Sequence, residues 1–283
     1  MDDLVAAGRA RKLVVGIRNA PVDVEALLAE HHMVLKESNL GEGEAGRTFT
    51  KGDTTFVIVN KNDDPYRRRF TALHELAHHL LELPSKHGGS VPGNELERFV
   101  GRHPEERACD VFASECLVPA HLIRPFVDAH PFSIDLLFEL SERFKASKQC
   151  IASSYVRNSK ELVAYVYAEG GKVQHVLPSA ALRGAKIFIG GGPLPSTSAA
   201  TLALVSADMR ATADLDASDW SGSDAALAYD CYEEALHLAA WGQTHSLLTF
   251  EQVSRTDSTH RQPSEDDERL KELTGHLSWD RRR

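Results

Sequence analysis

Apolar residues recur along this chain with two periods, and the switch between them falls near residue 160. Before it the spacing is mostly helical. Leu4, Val5, Leu13, Val14 and Ile17 predict a helix over 1–18, closed by Asn19-Ala20-Pro21, and Val22, Val24, Leu27 and Leu28 predict another over 22–30. Thr48-Phe49-Thr50 and Thr54 to Val59 alternate around Lys51-Gly52-Asp53 and predict a hairpin. Leu73, Leu76, Ala77, Leu80 and Leu81 return to three-to-four spacing and predict a helix over 70–81, uninterrupted until Pro84. Helices follow over 95–100 behind Asn94, 105–117 behind Pro104, 119–131, 134–144 behind Ser133, and 148–156 behind Ser147. After Glu161 the period becomes two. Leu162 to Ala168 and Lys172 to Leu177 read as strands across Gly170-Gly171, Lys186 to Ile189 as a third, and Gln243 to Gln252 as the last. Asp224 to Asp230 reads as helix or turn, and Tyr232 to Ala239 as its continuation or a strand. Residues 253–269 are polar and read as a linker, and Leu270, Leu273, Leu277 and Trp279 as a short terminal helix or docking segment.

Composition narrows the class. The chain has 283 residues, 42% apolar and 26% charged, as in ordinary globular proteins. The net charge of −9 is uneven: −4 over 1–131, +2 over 132–160, −6 over 161–250 and −1 over 251–283. No segment carries the basic excess of an autonomous DNA binder, and Arg281-Arg282-Arg283 is too short to change that. The four cysteines, Cys109, Cys116, Cys150 and Cys231, show no C-x-x-C spacing, so reduced thiols are the expectation. MDDLVAAGRARKLVV lacks the charge order of a signal peptide, and no apolar run reaches the length of a membrane span. A cytoplasmic protein is therefore expected.

The chemistry concentrates in the helix over 70–81. His74 and His78 are four apart, so their imidazoles project from one side and could grip one metal ion. Glu75 lies beside the pair and could reach a water on that metal, as in a helical H-E-x-x-H zinc peptidase. With 14 histidines in the chain, this pattern arises by chance with a probability of roughly 5%, so it needs a third ligand to carry weight. Glu106 supplies one: it lies on the helix over 105–117, and a catalytic metal needs three protein ligands and an open position. Asp110, one turn on, is placed to hydrogen-bond the far nitrogen of a ligating histidine. Glu105 competes with Glu106 as ligand, and Glu115 does so more weakly. His79, beside His78, points elsewhere, and His31-His32 suit a helix C-terminus. Arg67-Arg68-Arg69 read as a solvated helix start, with a substrate-carboxylate contact as the alternative. Gly190-Gly191-Gly192 is not a phosphate loop, because no Gly-Lys-Ser/Thr follows.

These residues carry a resemblance. Arg69-Phe70-Thr71-x-x-His74-Glu75-x-x-His78, followed by Glu106-x-x-Cys109-Asp110-x-Phe112-Ala113-x-x-x-Leu117-Val118-Pro119, resembles the paired motif helices of the ImmA/IrrE family of metallopeptidases. Asp110 stands where the family usually has Asn and Cys109 where it usually has Ala, and the segment 84–104 is longer than in compact members. The resemblance covers roughly residues 1–130. It implies metal ligation by His74, His78 and Glu106, with Glu75 as general base. Zinc is the default ion, and a His-His-Glu set also suits manganese. It further implies a protein substrate, a helix-turn-helix transcriptional repressor whose cleavage relieves repression in a stress or mobile-element response.

The expected fold class is thus α+β. A zincin-like metallopeptidase domain occupies 1–131. A small helical segment resembling a helix-turn-helix occupies 132–160, built on Leu136, Leu137, Leu140, Phe144, Ile151 and Tyr155, and its thin charge favours packing or partner docking over operator binding. An α/β accessory domain occupies 161–252, where longer family members carry a GAF-like sensor domain, and the linker and tail occupy 253–283. The rival readings are a non-catalytic antitoxin or anti-repressor module and a DNA-binding regulator acting through residues 133–157.

Overall fold

Two sheets, each backed by helices, hold the polypeptide in the computed structural model, which describes residues 2–41, 43–84 and 103–253. The helix expected over 95–100, the linker and the terminal segment at 270–279 lie outside the described residues.

The first sheet comes from β1 (Met33–Ser38), β2 (Gly46–Lys51) and β3 (Thr54–Asn60), in the order β1-β3-β2. The expected hairpin is the antiparallel β2–β3 pair, and β1 lies parallel to β3 on the other side. β1 was not expected: of its residues only Met33 is buried, and its end is Lys-Glu-Ser. Two helices precede the sheet, α1 (Asp3–Val14), whose cap Asp2 accepts from the Leu4 N–H, and α2 (Val24–Glu30), whose cap Asp23 accepts from the Ala26 N–H.

The apolar face of the sheet, Val57 and Val59 among it, packs on α3 (Pro65–Leu80). Asp64 caps that helix by accepting from the Tyr66 N–H at 2.8 Å, and Pro65 needs no partner at its first position. The helix begins five residues before the expected start, and Arg67, Arg68 and Arg69 are half-buried in its first turns. The solvated reading of those arginines is corrected. Arg69 donates to the carbonyls of Val22 at 2.7 Å and Lys145 at 3.2 Å, while Arg68 pairs with Glu37 and Arg67 with Asp63. All lie far away in sequence except Asp63, so helix periodicity could not reveal them.

α4 (Pro104–Leu117) packs across α3 and α1. α5 (Ala120–Ala129), α6 (Ile134–Phe144) and α7 (Lys148–Asn158) follow, the last two capped by Ser133 and Ser147 as expected. Lys145, at φ 51°, makes the left-handed turn between α6 and α7. Every residue of α7 from Cys150 to Val156 is buried. A helix enclosed on all sides cannot lie in a DNA groove.

The second sheet has six strands in the order β6-β5-β4-β9-β8-β7. They are β4 (Val163–Glu169), β5 (Lys172–Pro178), β6 (Gly192–Pro193), β7 (Arg210–Asp216), β8 (Tyr229–Leu238) and β9 (Gln243–Gln252). Short helices α8 (Ala180–Gly184), α9 (Ala199–Ala203) and α10 (Ala217–Trp220) pack on one face with Ala164, Val166, Leu248 and Phe250. The other face gives Tyr165, Tyr167, Leu236 and Leu247 to the core of α1–α7. β4 is therefore buried on both faces, and one core runs across residues 131 and 160. The described residues up to Glu251 pack as one compact unit.

Lys186 to Ile189 is not a strand. It leaves α8 through a left-handed Lys186 at φ 60°, which breaks an extended path, and Ile189 makes one isolated bridge to Ser221. Asp224–Ala228 is a 3-10 turn, and β8 begins at Tyr229. β7 and α9 were not expected, because Ala and Asp dilute any apolar period there.

Candidate metal centre

The periodicity that buries Leu73, Leu76 and Ala77 turns His74, Glu75 and His78 inward as well, and all three are almost fully buried. The rings of His74 and His78 lie 4.9 Å apart, and their Nε2 atoms approach to 3.1 Å. From α4, Glu106 sends Oε2 to within 3.2 Å of His74 Nε2 and Oε1 to within 3.5 Å of His78 Nε2. One ligand atom from each of His74, His78 and Glu106 falls within 4.8 Å of the others, the one such grouping of metal-ligating side chains among the described residues.

Asp110 is fully buried, and its Oδ1 lies 2.9 Å from His74 Nδ1. With a proton on Nδ1 donated to that carboxylate, Nε2 carries its lone pair toward His78 and Glu106, the tautomer a metal ligand requires. The same carboxylates also favour a second proton on that ring, which a bound cation would displace. Burial works against a charged His74, but hydrogen bonds to Asp110 and Glu106 and the nearby carboxylates push it up to about 9. Burial likewise opposes an ionised Glu106, yet its contacts with His74 and His78 hold the carboxyl well below the usual range. Three carboxylates, Glu75, Glu106 and Asp110, gathered in a buried space draw in positive charge. The neutral nitrogens and carboxylate oxygens are the donor set of a divalent ion, so these residues fit one.

The rival acids are accounted for. Glu115 is buried on another face of α4, where it accepts from Arg11 at 3.1 and 3.3 Å and from the Ala120 N–H at 3.2 Å. Glu105 pairs with His103 at 3.2 Å. His79 is exposed. Burial, with the carboxylates of Glu106 and Asp110 beside it, pushes the Cys109 thiol up, so it stays protonated at neutral pH.

Two residues that ligate nothing support the site. Gly46 on β2 is buried against α3, where a Cβ would run into the Thr71 methyl and meet the Ile58 carbonyl at 3.1 Å, with Glu75 Cγ 3.8 Å away. Gly41, Gly43 and Gly46 together read as a turn in the sequence, which gives no sign of this close approach. Arg69 ties the start of α3 to Val22 and Lys145 and so sets the helix's direction.

Residues 29–154 match the family described as the IrrE N-terminal-like domain, Peptidase_M78. A protein of Deinococcus deserti named radiation response metalloprotease IrrE is 29% identical over 164 residues, 52% of this chain and 57% of that protein. Its namesake from Deinococcus radiodurans is 26% identical over 171 residues, 52% of this chain and 51% of that protein. The chain thus spans about half the length of these curated relatives. A solved structure, a Mycobacterium tuberculosis transcriptional regulator, superposes with a TM-score of 0.59 over 87% of this chain and 76% of that one. At 15% identity it shows a shared fold. Among the described residues, no helix is long and apolar enough to cross a membrane.

Proposed function

Since residues 29–154 belong to the ImmA/IrrE family, we propose that the protein is a cytoplasmic, metal-dependent endopeptidase of zincin-like design that cleaves a partner protein. The observation that carries this reading is the convergence of His74, His78 and Glu106 on one point, beside a buried Glu75. Zinc is the ion we assign, with manganese the second candidate for a His-His-Glu set.

When bound, such an ion supplies Lewis-acid polarisation of the scissile carbonyl and makes a water acidic enough to attack near neutral pH. The chain's residues do the rest. His74 and His78 offer neutral nitrogens, and Glu106 offers a carboxylate. Asp110 keeps the His74 proton on Nδ1. Glu75 takes the proton of the attacking water and passes it to the leaving amine. Burial of Glu75 keeps bulk water from competing for that proton.

The substrate we propose is a helix-turn-helix transcriptional repressor, cleaved to relieve repression in a stress or mobile-element response. The six-stranded C-terminal sheet is then an accessory domain, and a GAF-like sensor is its closest functional analogy. The enclosure of α7 supports a packing role for residues 132–160 and speaks against the DNA-binding alternative. Glu75→Gln tests the reading: it should keep the fold and the metal but stop cleavage of the partner repressor. A variant that still relieves repression fully would refute the peptidase reading.

A further inference from the structure

The six-stranded sheet ends at β7, which among the described residues pairs with β8 alone. Its outer side is a row of backbone donors and acceptors open to another strand. The ladder shows which ones. The His237 N–H donates to the Met209 carbonyl at 2.7 Å. Hydrogen-bonded pairs alternate along an antiparallel ladder, so Ala211, Ala213 and Leu215 also bond toward β8. The amides of Arg210, Thr212, Asp214 and Asp216 and the carbonyls of Arg210, Thr212 and Asp214 point to the open edge, while the Asp216 carbonyl opens α10. Their side chains are exposed, while Ala211, Ala213 and Leu215 pack on the second core.

The strand reads Arg-Ala-Thr-Ala-Asp-Leu-Asp, and it complements itself about Ala213. Laid antiparallel against a second copy through a two-fold axis at Ala213, it sets Arg210 opposite Asp216 of the partner subunit. Thr212 then faces Asp214 of the partner subunit, and Ala211 faces Leu215 of the partner subunit. The four outward residues map onto one another, so Thr212 and Asp214 exchange both of their open groups with the partner strand and the Asp216 N–H meets the Arg210 carbonyl. A register about Asp214 would oppose the two Asp214 carboxylates, and one about Thr212 would leave Asp216 without a counterpart. Opposite charges across paired strands fix register, and like charges oppose it. Leu204, Val205 and Met209, which lead into β7, are 39%, 85% and 41% exposed and add apolar surface at each end of the joint.

We propose that the protein forms a two-fold homodimer through β7, joining two six-stranded sheets into one. The occupant is a second copy because the charge pattern matches its own reverse. The inference does not depend on the peptidase reading. Arg210 also meets Asp135 at 2.8 Å and lies over the Phe138 ring, 5.2 Å from its centroid, but its side chain remains 43% exposed, so a partner carboxylate can reach the guanidinium as well.

The test is sedimentation velocity on the full chain. Wild type should run at twice the mass of one chain. Arg210→Asp and Asp216→Arg should each run as monomers, and the double variant should recover the dimer. Asp135→Ala should remain dimeric. Hydrogen exchange on wild type gives an independent reading: the amides of Thr212 and Asp214 should be protected in concentrated solution and exchange freely on dilution. A monomeric wild type, a dimer that Arg210→Asp leaves intact, or edge amides that exchange freely at every concentration would overturn the proposal.

Discussion

Nδ1 of His74 stands 2.9 Å from Oδ1 of Asp110, a buried contact that joins α3 to α4 and leaves the opposite nitrogen of the ring facing His78 and Glu106. It follows that position 110 needs an acceptor more than a charge. Asp110→Asn, the residue usual in the family, should keep metal affinity near that of wild type. Asp110→Leu should weaken it by about 10–100-fold, because His74 loses the partner that fixes its tautomer. Competition with a chromogenic chelator reads both. Equal affinity for all three proteins would mean that Asp110 does not orient His74.

Glu115 shares α4 with Glu106 but serves the fold. Glu115→Ala should keep the metal and lower stability by about 1–3 kcal/mol, since Arg11 and the Ala120 N–H lose a buried acceptor. Urea melts measure the loss, and metal analysis of the same sample shows whether the site survives.

Gly46 should not tolerate a side chain. Gly46→Ala forces a methyl against Thr71 and the Ile58 carbonyl, and overpacking of this kind costs about 1–3 kcal/mol. Because Glu75 lies in the same contact, peptidase activity should fall by more than the folded fraction does. Thr71→Ser, which removes the opposing methyl, should partly restore both in the Gly46→Ala background. A Gly46→Ala protein as stable and active as wild type would show that β2 can move away at no cost.

Local period carried the site into view in the sequence. His74 with His78 and Glu106 with Asp110 are each four apart, so a helix alone puts each pair on one face. That the two faces meet is a tertiary fact, and it was reached through the chemistry of metal ligation. Elements whose meaning lies in distant partners stayed hidden. Arg69 resembles any charged helix start until Val22 and Lys145 are placed beside it. β1 is exposed along most of its length, with a polar second half, and is held by its parallel neighbour β3. Lys186 to Ile189 misled for the opposite reason, as Ile187 and Ile189 serve packing while the backbone at Lys186 turns left-handed.

His245 gives the stability a pH limb. It is buried beside Tyr165, whose hydroxyl lies 2.6 Å from its Nδ1. Burial, with the Lys148 charge nearby, pushes its pKa down from 6.5 to about 4. A histidine depressed in the folded state is neutral there while the unfolded chain takes up the proton. Its contribution is therefore complete above pH 6.5 and lost as pH falls toward 4, a span worth about 3 kcal/mol. Denaturant melts at successive pH values should show this limb, and His245→Phe should flatten it. An unchanged slope in that variant would assign the acid sensitivity elsewhere.

The central claim is that His74, His78 and Glu106 hold a catalytic metal, and metal analysis of single-site variants tests it most directly. Wild type and Glu105→Ala, purified and dialysed alike, should each retain a stoichiometric divalent ion, whereas Glu106→Ala and His78→Ala should lose it while staying folded. Retention of metal by Glu106→Ala together with its loss from Glu105→Ala would contradict the site described.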